Sequence, residues 1–571
     1  MMKPLERGAG ILMPISSFPS LYGIGTMGKD AYAFVDFLRK SHHHYWQVLP
    51  LGPTSFGDSP YQGPSTFAGN PYFIDLETLI EEGLLTKEYV ESFDWGDRLD
   101  KCLISYDKLF EARYEVLRTA FTNSKHKETK EYQDFLRENA DWLEDYALFM
   151  AVKLYHKNAD WSIWKDDIRF RKPGAVERYR DICKTDVEFF SFLQFKFFEQ
   201  WNRLKKYAND LDIEIIGDVP IYVAFDSADV WSNAKEFLLD ENLTPTKVAG
   251  VPPDAFSDLG QKWGNPLYDW KKMEENHFDW WRRRITAATK LYDVIRIDHF
   301  LGIAKYYMIP AEDEDARKGE YAMGPGQKLL DVVNAALGEK KLIAEDLGVH
   351  IPEASKLLEE NHYPGMKVLE FAFGGDRKNE HLPMNYRNPN CVVYGGTHDN
   401  ETLLGFLKDR DDWELRYAYD YLGTRDKLEM VTAMLRLAYG SIGNVVIFQV
   451  QDLLRQDNFA RMNFPSTMGS NWRWRMWPGA LGEKELMELA FLAYVFDREL
   501  HSTKSEKDVE LIMKAKGDPE VLEALKQEAA EQALKEAQKA LEAAQKAAQE
   551  AALQESAKVQ DDKEAVGGAF L

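Results

Sequence analysis

Three carboxylates in this chain stand beside residues that could tune them. Asp298 follows Arg296 by two places, Glu345 precedes Asp346, and Asp399 directly follows His398. Cleaving or transferring a glycosidic bond needs two carboxyl groups around one acetal carbon. One protonates the leaving oxygen, and the other attacks or activates water; a separation of about 5 Å marks the covalent, retaining route. On an extended strand Arg296 and Asp298 point to the same face, so the guanidinium could hold the carboxylate ionised and oriented. An R-x-D pair alone is common in structural ion pairs. Three carboxylates with Arg and His beside them carry more weight, provided the fold gathers residues that lie tens of positions apart.

Eight short apolar or β-branched runs end abruptly in polar residues: Gly10 to Pro14, Tyr45 to Leu51, Ile213 to Val219, Val294 to Asp298, Lys341 to Glu345, Met366 to Phe371, Val392 to Thr397 and Val445 to Gln451. Helical patterning fills the gaps, as in Glu275 to Tyr292 and Asp411 to Ala438. Strands and helices alternate as parallel crossover units require, and eight such units predict an α/β fold of the (β/α)8 barrel type. Active sites of that fold lie at the carboxyl ends of the strands. Asp218, the Arg296–Asp298–His299 set, Glu345 with Asp346, the His398–Asp399–Asn400 set, and Gln451 with Asp452 all fall there.

About 160 residues separate the second and third runs, too many for one crossover, so a largely helical subdomain is expected at about 57–209. Its Phe and Trp residues recur at three- and four-residue steps and read as core. After about His501 the composition shifts, and Asp518 to Lys558 contains no aromatic residue. Asp518 can cap a helix with Pro519 in its first turn. Leu522, Leu525, Ala529, Ala533 and further alanines then form a shallow stripe. One long solvated helix is predicted, a spacer or a weak docking element, since alanine buries little area. The expected division is a catalytic barrel over 1–502 and a fused or designed helical extension over 503–571.

The 571 residues include 45% hydrophobic and 29% charged residues, a globular composition. Lys and Arg total 71 against 94 Asp and Glu, a net charge of −23 that would repel a polyanion, so nucleic acid is not expected as a partner. Three scattered cysteines, Cys102, Cys183 and Cys391, make neither a disulfide framework nor a zinc ribbon. No stretch reads as a signal peptide or membrane span, and a soluble cytoplasmic protein is expected. His42, His43 and His44 cannot all face one metal on regular structure and read as a solvated or packed turn. There is no Asp-rich calcium loop. With 15 Trp and 27 Tyr, aromatic rings are available for stacking on sugars, although most must fill the core.

GDVPIYV from Gly217, RIDHF from Arg296, AEDLG from Ala344 and GGTHDN from Gly395 resemble the four signature segments of the α-amylase clan. Longer stretches narrow this: YWQVLPLGPTSFGDSPYQGPSTFAGNPYFIDL from Tyr45, GVPPDAFSDLGQKWGNPLYDW from Gly250, GMKVLEFAF from Gly365 and RMNFPSTMGSNWRWR from Arg461. Over about residues 5 to 502 the chain resembles the 4-α-glucanotransferases of glycoside hydrolase family 77. The resemblance implies transfer of an α-1,4-glucan segment, from maltooligosaccharides or amylose, to the 4-hydroxyl of an acceptor, possible cyclisation, and no metal or other cofactor.

Position by position, it implies Asp298 as nucleophile, Glu345 as general acid and base, and Asp399 as the carboxylate that bonds hydroxyls of the sugar in the −1 subsite. Asp218, Arg296 and His398 match positions around that sugar, Tyr61 a stacking platform and Trp263 an acceptor-side contact. Asn463 and Asn471 lie in a matching segment, with the side chain that faces glucan left open. Ala255 and Leu259 depart from bulkier or hydroxylated residues in some members. An α-glucan hydrolase and a non-catalytic glucan-binding scaffold are the competing readings, the second weakened by an intact carboxylate trio.

Overall fold

All eight apolar runs form strands, and four further strands lie among them. In chain order the described residues contain β1 (Gly8–Leu12), β2 (Tyr45–Gln47), β3 (Glu214–Pro220), β4 (Lys247–Val251), β5 (Gln261–Pro266), β6 (Val294–Asp298), β7 (Lys305–Pro310), β8 (Glu320–Met323), β9 (Lys341–Ala344), β10 (Gly365–Val368), β11 (Cys391–Tyr394) and β12 (Val445–Gln449). The computed structural model describes residues 4–55, 57–96, 102–253, 257–536 and 538–539.

Eight strands, in the order β10-β11-β12-β1-β2-β3-β6-β9, form one sheet with every neighbouring pair parallel. Its edges meet where Ala344 N donates to Pro364 O at 3.0 Å and Asp346 Oδ1 accepts from Met366 N at 2.8 Å. The sheet closes into a (β/α)8 barrel, with the Asp346 carboxylate standing in for a ladder carbonyl at the seam. Strands end early where the sequence is punctuated. β2 stops three residues short of Pro50, β11 stops before Gly395 and Gly396, and the expected sixth strand turns into a 3-10 coil over Leu369–Phe371.

Side chains alternate with a period of two. Val294 points into a barrel core with Leu12, Tyr45, Ile216, Ile343, Met366, Val392, Val445 and Ile447. Two residues further along, Asp218 and Arg296 point the same way and are also buried. The barrel is thus apolar at its amino-terminal end and polar towards the other.

Helices, among them Tyr106–Asn123, Ala140–Tyr155 and Lys184–Asp210, fill the interval between β2 and β3. The 27-residue helix Lys184–Asp210 buries Phe189, Phe192, Leu193, Phe197, Trp201 and Leu204, so these aromatics are core. Two glutamines on it fix the preceding loop. Gln194 bonds Gly69 through both its amide atoms, at 2.7 and 2.9 Å, and Gln200 bonds Asp75 in the same way, at 2.7 and 3.3 Å. Gly69 has no room for a side chain, because a Cβ would lie 2.0 Å from the Phe197 ring.

The pattern of crossovers did not anticipate the antiparallel sheet β5-β4-β7-β8. Its strands lie in segments broken by Gly and Pro, which read as loops. The histidine run is a packed turn: His42 takes a φ of 59°, His43 is fully buried with Nε2 at 2.6 Å from Tyr439 Oη, and His44 stacks on Tyr45.

The chain divides into two compact units, Met1–His501 and Ser502–Leu571. In the second, the helix Glu506–Ala515 is capped by Ser505, and a further helix begins at 519. Asp518 Oδ1 accepts from Glu520 N at 2.9 Å and Val521 N at 3.2 Å, which makes it the N-cap. Ala529, Ala533 and Leu534 are exposed along it. The expected continuation to Lys558 lies outside the described residues. Among these residues, no helix is long and apolar enough to cross a membrane.

Candidate active site

Adjacent strands β3, β6 and β9 set four candidates side by side. Their register pairs Asp218 with Arg296 and Pro220 with Asp298, and Ile297 with Ala344. Asp298 and Glu345, each one residue beyond that last pair, leave neighbouring parallel strands at one level and on one side. Strand spacing puts their backbones about 4.8 Å apart.

Arg296 Nη1 donates to both Asp218 oxygens, at 2.7 and 2.6 Å, and to Asp298 Oδ1 at 3.0 Å. The Arg296 and Asp218 side chains are 3% and 0% exposed, whereas that of Asp298 is 26% exposed and open to the mouth. Glu345 accepts from His299 N at 2.7 Å and Leu347 N at 2.8 Å. Burial pushes Asp298 well above the usual carboxylate range, against the pull of Arg296. Burial raises Glu345 to about 7, again opposed by Arg296. Arg296 is hydrogen-bonded to Asp298, and a full guanidinium charge outweighs the two amide dipoles on Glu345. The Arg296 contact favours the ionised form of Asp298.

The turn after β6 serves both acids. His299 takes a φ of 51°, a conformation costly for a non-glycine residue and typical of functional sites. It aims the His299 N–H at Glu345 and places the ring edge-on to Trp263, with centroids 5.0 Å apart. Burial holds the His299 imidazole down at about 4, hence neutral. Trp263 is half-buried on β5, its indole donating to Gln261 Oε1 at 3.1 Å. The unanticipated second sheet therefore carries the candidate acceptor-side residue to the flank of Asp298.

The segment after β11 closes the other side. Tyr61 Oη donates to Asp218 Oδ2 at 2.7 Å and lies 2.7 Å from His398 Nε2. Because the phenol has one proton, His398 must donate from Nε2, which leaves Nδ1 as a bare, buried acceptor. That atom has no hydrogen-bond partner among the described residues, and burial keeps the ring neutral. Tyr61, His398 and the buried Trp472 pack as an aromatic wall. Asp399 is more exposed, and its Oδ1 accepts from Asn463 Nδ2 at 2.6 Å. A Cβ at Gly396 would lie 2.4 Å from Glu370 Oε1, so a side chain there would displace that carboxyl.

The structure thus brings together Tyr61, Asp218, Trp263, Arg296, Asp298, Glu345, His398, Asp399 and Asn463. Asn471 is placed differently. It is buried, accepts from Phe464 N at 3.0 Å and donates to Thr467 O at 3.0 Å, closing its own loop. Gln451 and Asp452 are also withdrawn: both are buried, and Asp452 caps the helix Leu403–Lys408 through Leu403 N at 2.7 Å. Leu259 is half-exposed, and its carbonyl accepts from Ala316 N. Ala255 lies outside the described residues. Sequence reasoning passed over Trp472, Arg461 and the backbone of His299, whose contacts come from tertiary folding or from the main chain. Among the described residues, no group of three His, Cys, Asp or Glu side chains is placed to hold a metal ion.

Comparison with known proteins adds independent findings. Residues 13–479 match the family profile described as 4-alpha-glucanotransferase, glycoside hydrolase family 77. A 4-alpha-glucanotransferase of Clostridium butyricum is 46% identical over 465 residues, covering 81% of this chain and 95% of that protein. One from Thermus thermophilus is 42% identical over 504 residues, covering 86% and 99%. The solved structure of an amylomaltase from Streptococcus agalactiae in complex with acarbose superposes with a TM-score of 0.83 at 39% identity, covering 86% of this chain and all of that one.

Proposed function

The chain belongs to the 4-alpha-glucanotransferase family, glycoside hydrolase family 77, and we propose that it transfers segments of α-1,4-glucans between acceptors through a covalent glucosyl-enzyme. One observation carries the mechanism: Asp298 and Glu345 leave adjacent strands at one level, with Arg296 on the first.

Asp298, held as the anion, attacks the anomeric carbon of the sugar in the −1 subsite while Glu345 protonates the departing 4-oxygen. Asp399 bonds hydroxyls of that sugar and favours its flattened, oxocarbenium-like form. Arg296, Asp218, His398 and Tyr61 surround the same ring, with Tyr61 as a stacking surface. Glu345, now a carboxylate, removes the proton from the 4-hydroxyl of an incoming sugar, and a second inversion restores the α bond. Trp263, beside His299, offers the acceptor a ring and helps exclude water, the condition for transfer over hydrolysis. Maltooligosaccharides and amylose are the substrates, and ring closure follows when the acceptor is the donor's own far end.

Residues 1–502 form the catalytic unit in this reading, and 503–571 an appended extension. The three cysteines are buried, which suits a reducing, cytoplasmic setting. Incubation with maltotriose tests the proposal. Longer oligosaccharides with free glucose are expected; maltose and glucose alone would identify a hydrolase, and no turnover a binding scaffold.

A further inference from the structure

Beside its own N–H bond to Thr397 Oγ1 at 3.3 Å and the 3.4 Å approach of His398 Nε2 to its Oδ2, Asp399 has two further contacts that lead to one arginine. Arg461, 62 positions further along the chain, donates from Nη2 to the Asp399 carbonyl at 2.8 Å. Its Nε donates to the Asn463 carbonyl at 2.8 Å. Asn463 in turn donates its amide to Asp399 Oδ1 at 2.6 Å. The three bonds close a ring that fixes the backbone of Asp399 directly and its carboxylate through Asn463. The Arg461 guanidinium lies 4.5 Å from the Phe464 ring centroid, a cation–π seat that holds the fork in place. Arg296 secures Asp218 and Asp298 on the barrel wall; Arg461 does the corresponding work for the third carboxylate.

Resting on the reading of Asp399 as the group that grips the −1 sugar, we propose that Arg461 is a positioning residue for glucan transfer. By holding the Asp399 and Asn463 carbonyls together, it sets the angle at which the Asp399 carboxylate meets the sugar. A planar fork with donors in two fixed directions is needed to span both carbonyls. A lysine ammonium keeps the charge but presents it as a point on a flexible stem.

The test compares Arg461→Ala and Arg461→Lys with wild type on maltotriose, with and without millimolar guanidinium chloride, far below denaturing levels. Misplacing a substrate-holding group by about 1 Å costs up to about a hundredfold. Accordingly, Arg461→Ala should lose roughly ten- to a hundredfold in kcat with KM changed less than about threefold. Guanidinium should restore part of that loss, and Arg461→Lys should be similarly impaired. In an Asp399→Asn background, assayed with an α-maltosyl fluoride donor, adding Arg461→Ala should cost no more than about twofold, because coupled residues are not additive. Wild-type kcat in either Arg461 variant, or a loss that guanidinium does not move and that adds fully to Asp399→Asn, would overturn the proposal. If Arg461→Ala fails to fold, the lysine variant alone decides. Wild-type protein without transfer would defeat the underlying function; wild-type transfer with an undiminished Arg461 variant defeats only this proposal.

Discussion

The proposed mechanism needs Glu345 protonated while Asp298 is ionised. Because burial raises Glu345 to about 7, kcat/KM on maltotriose should fall as pH rises through about 7 and the acid is lost. With an α-maltosyl fluoride donor, whose leaving fluoride needs no proton, the same limb should vanish from the glycosylation step; pre-steady-state fluoride release measures it. A limb that persists with the fluoride would assign the titration elsewhere. At this scale the sequence was informative where a charged side chain ends an apolar run, as with Arg296, Asp298 and Glu345. It was silent where the donor is a main-chain N–H, as at His299, or where two distant loops meet, as Arg461 and Asp399 do. Asn463 and Asn471 look alike in one short segment, yet one faces Asp399 and the other closes a turn. Only folded coordinates separate them.

Elements position these residues in two ways. The barrel sets Asp218, Arg296, Asp298 and Glu345 by strand register, and the helix Lys184–Asp210 holds the segment that follows Tyr61, at Gly69 and Asp75, through Gln194 and Gln200. Gly69→Ala should therefore hurt twice. A Cβ pressed 2.0 Å from Phe197 forces repacking that typically costs about 1–3 kcal/mol, read as a lower denaturation midpoint. It should also weaken maltotriose binding by shifting the Tyr61 platform. An unchanged midpoint would show that the loop relaxes freely. The eight barrel strands were legible because alternation and abrupt polar ends repeat eight times. The antiparallel sheet was not, because β4 and β5 flank a Gly- and Pro-rich stretch with no clean period, and it is this sheet that presents Trp263.

Over the whole molecule, the barrel with its helical insert and the segment after His501 are separate compact units. At the base of the barrel Arg498, fully buried, donates to the carbonyls of Gly8, Tyr439, Ser441, Gly443 and Asn444, tying the end of the first unit to β1 and the start of β12. A chain truncated after Glu506 keeps Arg498 and every candidate site residue, and should retain transfer within about twofold. Loss of activity in a still-folded truncated chain would give the tail a catalytic part. The composition shift after His501 and the Asp518 cap were both plain in the sequence, because helix capping is local chemistry.

The covalent role of Asp298 is tested most directly by trapping. Glu345→Gln treated with an α-maltosyl fluoride can form the glucosyl-enzyme, which needs no acid, but cannot activate an acceptor to discharge it. Peptide mapping by mass spectrometry should find the added sugar on Asp298. A sugar on Asp399, or fluoride release with no adduct on any residue, would contradict the mechanism.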